Sequence, residues 1–476
     1  MSALQATPHA APDATPRTVT RRTLARASFT GGAAALVAAC GAQSGGGGSG
    51  SSGSGGTEKK VTAPVTLTML TDHGGADLDA QKAIFARFTQ EQPNVSFEIS
   101  PNGPGQAARD RAKIMAQGGT PADFWESTRA AYGDLLLLGI IHPITDYVKR
   151  DKLPFEKMFV TDHVDHITVD GKIYGWPVVI SADALAYNKE LFDARGIPYP
   201  SVNTADTSWT MEKFLDLAQK LTRNDGQVFG FGGTRSGYDR FTDGTNWGQP
   251  PWDGQSKGML DSPLWQQAEQ FWVDCIHKWR VQPTAQEKPS IAPPSGPFFF
   301  NGKTAMDVVF QAPPANISFK WSLATLPYSG KGKNVSGRLG LHSLHMGQGG
   351  KNADVVWQVF KWFRNKEHAG AFPMTWGSPV SPLLDGGSDA AQAEYQRRYG
   401  VDPKAFLQTA LSARRSGWGL QSLVKFADYD PQIQALYNDM FAQKIAVSDY
   451  GRQANQLLTQ AIEESQKILK ITGSKQ

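Results

Sequence analysis

The spacing of apolar residues switches between two periods along this chain. Val65-Thr66-Leu67-Thr68-Met69-Leu70 alternates every second position, which predicts a strand with one buried face. From Asp77 to Gln90, Leu78, Ile84, Phe85 and Phe88 recur at helical spacing. Pro93 to Ile99 returns to alternation, so the chain opens as strand, helix, strand, the unit of an α/β fold. Arg109 to Gln117 predicts a second helix, stopped by Gly118-Gly119, and Ala122 to Ser127 a further strand. The run Gly171 to Ser181 is aromatic and apolar, which predicts a buried strand entered through a glycine turn. Pro177 holds Trp176 extended. Ala184 to Lys189 is a second extended run ending in a polar turn. Phe214, Leu217, Ala218 and Leu221 mark an amphipathic helix with Thr210 as its N-cap. Ser262-Pro263 opens another, with Ala268, Phe271, Trp272, Cys275 and Trp279 on its apolar face. Gly230 to Gly233 reads as a short glycine-rich strand. Helices follow at Val355 to Phe363 and Ala454 to Ile462.

Length changes this picture only by permitting two domains or more in 476 residues. The N-terminus changes it further. Thr20-Arg21-Arg22-Thr23-Leu24 precedes a small and apolar stretch, Ala27 to Ala39, shorter than the roughly 20 residues that span a bilayer. That is the basic and apolar pattern of an export signal over residues 1–39, and the paired arginines look like the twin-arginine type, with the general secretory route the alternative. Val37-Ala38-Ala39-Cys40-Gly41 resembles a bacterial lipobox, in which Cys40 takes the lipid. The Gly/Ser tract that follows reads as a flexible tether within residues 40–60, reaching roughly 20–25 Å. Four arginines against one aspartate in residues 1–39 carry three of the four net positive charges. The remainder is nearly neutral, which argues against a nucleic-acid partner. The two cysteines, Cys40 and Cys275, are not expected to pair.

Candidate motifs mostly fail. Gly302-Lys303-Thr304 lacks the glycine a phosphate loop needs five positions earlier, where Pro297 stands. His163 and His166 have helix-compatible spacing but no further ligands nearby in sequence. His342 and His345, three apart on a strand, point to opposite faces. No metal and no cofactor is expected. The segment Tyr238 to Trp252 mixes rings, carboxylates and amides without periodicity, a combination that suits carbohydrate.

The sequence Gly171-Lys172-Ile173-Tyr174-Gly175-Trp176-Pro177, followed by Leu185-Ala186-Tyr187-Asn188-Lys189-Glu190-Leu191-Phe192, resembles the first interlobe crossover of extracellular solute-binding proteins, closest to the sugar-binding, maltose-binding-like group of ABC importers. Pro121-Ala122-Asp123-Phe124, Phe299-Phe300-Asn301-Gly302-Lys303-Thr304-Ala305-Met306, the block from Gly340 through Phe363, and Trp376-Gly377-Ser378-Pro379 resemble further segments of that family in the same order. The resemblance implies two Rossmann-like lobes joined by a three-segment hinge, the type II periplasmic-binding-protein arrangement. It implies an N-terminal lobe of residues 61–179 and 320–375 and a C-terminal lobe of 180–319 and 376–476, with crossovers near Val178–Ala182, Phe319–Trp321 and Phe372–Pro379, a strand at Asp307 to Gln311, and Trp321 to Pro327 as the strand returning into the first lobe. Closure of the lobes on a small-molecule ligand follows. It further implies a monomer serving importer permease subunits outside the cytoplasm, held to the membrane by Cys40. His73, Trp125, Glu126, Asp183, Tyr238, Trp247, His342 and Trp376 are the expected ligand contacts, aromatics stacking and the others hydrogen-bonding hydroxyls. At the early cleft loop this chain has His73-Gly74-Gly75 rather than the family's frequent aromatic. An exported hydrolase using Glu126, Asp183 or Asp239 as an acid/base pair, and a binding protein for a polyamine or peptide, are the alternatives.

Overall fold

In a computed structural model of the chain, the described residues are 61–102, 105–119, 122–223, 228–233, 247–253, 255–288, 298–309, 317–329, 339–384, 387–412 and 425–473. The expected export signal, Cys40, the tether, Tyr238, Asp239 and Gln311 lie outside them.

Strands β1 (Val65–Thr71), β2 (Val95–Pro101), β3 (Phe124–Thr128) and β4 (Ile141–His142) come first, then the small hairpin β5 (Thr168–Val169) and β6 (Lys172–Ile173). Asp170 and Gly171 take positive φ in its turn, 49° and 73°, which is why glycine stands there. Next come β7 (Trp176–Ala182), β8 (Ala184–Asn188), β9 (Phe229–Phe231), β10 (Thr304–Val309), β11 (Trp321–Ala324) and β12 (Leu339–Gly347). They form two main sheets. One runs β2-β1-β3-β12-β4, with β7 also paired to β12; the other runs β11-β8-β10-β9. β1 is parallel to β2 and β3, whereas β12 runs antiparallel to β3, β4 and β7. Asp183 alone separates β7 in the first sheet from β8 in the second.

Each sheet has its own apolar core. Under the first, Trp176 is fully buried, with the rings of Phe155, Phe159 and Trp357 edge-on to it at 5.6, 5.3 and 5.7 Å. Against the second pack Phe214, Phe231, Trp272 and Cys275. A third cluster joins Ile180, Leu339 and Leu341 of the first sheet to Val309 and Leu323 of the second, under Tyr395 and Phe406. The long helix Val447–Gly473 packs with Pro263–His277 and Phe426–Phe441 around Trp265 and Tyr450. Both expected caps form: Thr210 Oγ1 accepts from Lys213 N at 3.3 Å, and Ser262 Oγ accepts from Trp265 N at 3.3 Å with Pro263 in the first turn. Gly302-Lys303-Thr304 leads from a 3₁₀ turn into strand β10, not into a helix, so it is no phosphate loop.

One expectation about the path is corrected. Trp321–Ala324 does not return to the first sheet; β11 pairs antiparallel with β8. The fully buried β8 has β10 on one side, and without β11 its other edge would leave buried backbone groups unpaired. The return crossover therefore falls between Ala324 and Leu339, where β12 re-enters the first sheet. The strand expected at Asp307 to Gln311 begins earlier, as Thr304–Val309.

Candidate functional site

Four of the expected residues converge at one end of the first sheet. Strand alternation decides which. Thr71 of β1 stands opposite Glu126 of β3, and Leu70 stands opposite Trp125. Glu126 and Trp125 therefore project from opposite faces. On β12, His342 lies beside Thr128 and Leu344 beside Glu126, which puts the His342 ring on the face of Glu126. His345 pairs with Trp125 and leaves from the other face, where its Nδ1–H donates to the Tyr174 carbonyl at 2.8 Å and its ring stacks on Tyr132. The reading of His342 and His345 as unable to share a ligand holds.

Glu126 anchors the cluster. Its side chain is wholly buried; Oε1 accepts from His342 Nδ1 at 2.7 Å and Oε2 accepts from the Thr71 hydroxyl at 2.7 Å. His73 sits in the loop after β1, its backbone N–H on Thr71 Oγ1 at 3.2 Å and its Nε2 3.6 Å from Glu126 Oε2. Trp376 comes from the 3₁₀ turn Pro373–Trp376, which ends on Gly377 at φ 64°. Its indole N–H donates to His73 Nε2, and its ring lies edge-on to both His73 and His342, 4.4 Å from each. His73 Nδ1 is buried and has no partner among the described residues.

Burial pushes the His73 pKa down to about 4, against the pull of Glu126 and with the help of His342. Its imidazole is therefore neutral at neutral pH, with the proton on Nδ1 because Nε2 accepts from Trp376. Burial by itself would raise the Glu126 carboxyl, but the neighbouring His73, His342 and Thr71 outweigh it and hold it down to about 2. With His73 neutral, the donors that hold the carboxylate at neutral pH are His342 Nδ1–H and the Thr71 hydroxyl. Both its oxygens are engaged. Glu126 is thus an orienting group rather than an open ligand contact, and the His and Trp rings carry the face that remains.

The other expected contacts do not join this cluster. Trp125 is 1% exposed and packs with Leu70, Tyr132, Ile140 and Tyr174 on the opposite face. Trp247 is buried in the second core, its ring 5.6 Å from that of Phe271. Asp183 is buried at the junction of β7 and β8. Missed by sequence reasoning are Thr71, which a strand pattern presents only as one more alternating residue, and the fact that His73, Glu126 and His342 meet. One candidate metal-ligating atom from each of these three lies within 4.8 Å of the others, a grouping hidden by their separation in sequence. His163 and His166 go separate ways, to Ser343 Oγ at 2.9 Å and to the edge of Tyr132.

The sequence profile of the family described as bacterial extracellular solute-binding protein matches residues 75–370. A protein of Brucella abortus (strain 2308) named as a binding protein is 24% identical over 304 residues, which cover 61% of this chain and 69% of the relative. Among solved structures, the cyclic α-maltosyl-1,6-maltose binding protein from Arthrobacter globiformis superposes with a TM-score of 0.68 at 17% identity, over 84% of this chain and 100% of that one. UgpB from Mycobacterium tuberculosis in complex with glycerophosphocholine gives 0.67 at 16% identity, over 85% and 99%. These likenesses establish the type II periplasmic-binding-protein-like fold.

Proposed function

Because the chain belongs to the bacterial extracellular solute-binding proteins, we propose that it binds a carbohydrate, an oligosaccharide or polyol, for an ABC importer, with the solute held between two lobes against His73, His342 and Trp376. The observation that carries this reading is an indole edge-on to two imidazoles, one of them held by a buried carboxylate. A sugar offers an apolar C–H face and hydroxyls that both donate and accept. An indole ring suits the first; a neutral imidazole, with one donor and one acceptor nitrogen, suits the second. Sugar ligands in the names of structural neighbours, such as that of the Arthrobacter protein, support the same class.

The lobes of this reading are the two sheets with their helices, and Asp183 is the first of the crossovers about which they close. Micromolar affinity, about 8 kcal/mol, serves such a protein. Export and lipid attachment at Cys40 complete the proposal and rest on the N-terminal sequence. Replacing Cys40 with Ala should move the protein from the membrane fraction to the medium or periplasm. The solute class is tested by calorimetric titration with a saccharide, polyol, amine and peptide panel, followed by analysis of the recovered ligand. Saturable binding of a saccharide that is recovered unchanged is the expected result. Consumption of the saccharide would make the protein a hydrolase, and binding of amines or peptides alone would overturn the carbohydrate assignment.

A further inference from the structure

The grouping of His73, Glu126 and His342 has the composition of a transition-metal site. We propose that these three side chains bind one divalent transition-metal ion, of the zinc, cobalt or nickel kind, at the same end of the sheet as the solute contacts proposed above.

The donor set is two imidazoles and a carboxylate, which suits first-row divalent ions and leaves further coordination positions for water or solute. Bonds of about 2.0–2.1 Å in a tetrahedral site hold neighbouring ligand atoms about 3.3 Å apart. Here His342 Nδ1 lies 2.7 Å from one oxygen of Glu126, Oε1, and His73 Nε2 lies 3.6 Å from the other, Oε2, and one ligand atom from each of the three residues lies within 4.8 Å of the others. A metal would replace the proton that now bridges His342 and Glu126. The three ligands stand on separate elements of one sheet end, the loop after β1, strand β3 and strand β12, and a metal would draw them together from within 4.8 Å. All three side chains are 6% exposed or less, which removes competing water. The supporting contacts that metal ligands require are also present. Thr71 Oγ1 holds Glu126 Oε2 at 2.7 Å and also takes the backbone N–H of His73 at 3.2 Å. Ligation through His73 Nε2 would displace the Trp376 indole N–H that now donates to it, while Nδ1, which has no partner among the described residues, keeps its proton. Trp376, edge-on to both rings at 4.4 Å, covers the three.

The test uses untagged full-length protein purified in detergent and stripped with a chelator, titrated calorimetrically with Zn2+ and separately with Co2+ followed by visible absorption, with no sugar present. The expected result is one saturable ion per chain with micromolar or tighter affinity, and cobalt ligand-field bands that chelator abolishes. His342→Ala and Glu126→Gln should each weaken binding at least a hundredfold, the second with the fold kept because the amide preserves size. His142→Ala, which removes a histidine near Gln348 outside the cluster, should leave binding unchanged. Absence of saturable one-to-one binding would overturn the proposal, as would binding that survives both His342→Ala and Glu126→Gln. Carbohydrate binding is measured in a separate titration without metal, so failure of the metal proposal and failure of the carbohydrate reading are distinguished.

Discussion

Two buried carboxylates, one in each sheet, can be set side by side. Glu126 on β3 is ringed by chemically able side chains: a threonine hydroxyl, two imidazoles and, beyond them, an indole. Asp307 on β10 lies against the backbone of Gly232 and Val308. A Cβ added to Gly232 would lie 2.4 Å from its Oδ2, and its Oδ1 accepts the N–H of Val308 at 3.0 Å. The tryptophans divide the same way. Trp376 stands half-buried over the histidines, whereas Trp272 stacks on Phe231 and meets Phe214 and Phe271 edge-on. Burial alone therefore does not mark a site. What marks one is a buried charge whose partners are side chains able to exchange it for a ligand.

The contrast can be broken at several points. The largest effect should come from the second core. Trp272→Ala should cost about 3–5 kcal/mol of stability, read from urea unfolding, while the folded fraction keeps its solute affinity. A loss of affinity in the folded fraction would place the second core in the site after all. Next is acid. The pKa values of His73 and of His345, which burial holds uncharged, are lowered from 6.5 to about 4. Between those values the unfolded chain binds more protons than the fold does. Stability should thus be complete above pH 6.5 and fall as pH drops toward 4, by on the order of 3 kcal/mol for His345. Glu126 enters only lower, as pH falls from 4.5 toward about 2. Urea melts at stepped pH check this, and a His345→Gln variant should flatten the upper limb. Smaller again, His342→Ala should weaken solute binding by a factor of about 10–100, or about 1.4–2.7 kcal/mol, by calorimetry. The smallest effect belongs to Thr71→Val, which removes one hydrogen bond to Glu126 and should cost about 1 kcal/mol in the same solute titration.

Local periodicity made most of the fold legible. Val65 to Leu70, the Phe214 to Leu221 face and the Ser262-Pro263 start all describe contacts within one element, which spacing reports directly. Trp321 misled because an edge strand serving β8 and a strand re-entering the other sheet have the same local pattern; only the partner differs. At the site, His73, Glu126, His342 and Trp376 were each legible as polar or aromatic residues at strand ends or crossovers. Their meeting was not, since it needs the placement of β12 beside β3. Trp125 was misjudged for a simpler reason: its neighbour Glu126 takes the useful face, and alternation sends the indole to the other.

The late position of β12 also bears on synthesis. This strand pairs with β3, β4 and β7, yet its residues, Leu339–Gly347, are made long after Thr128 closes β3. At about 5–20 residues per second a ribosome needs roughly 10–40 s to cover that interval. Throughout it, the edges of β3 and β7 that β12 will cover stand open, and Glu126 waits without the imidazole that holds it. Until β12 is made, the nascent chain carries open strand edges of the kind that pair with other chains.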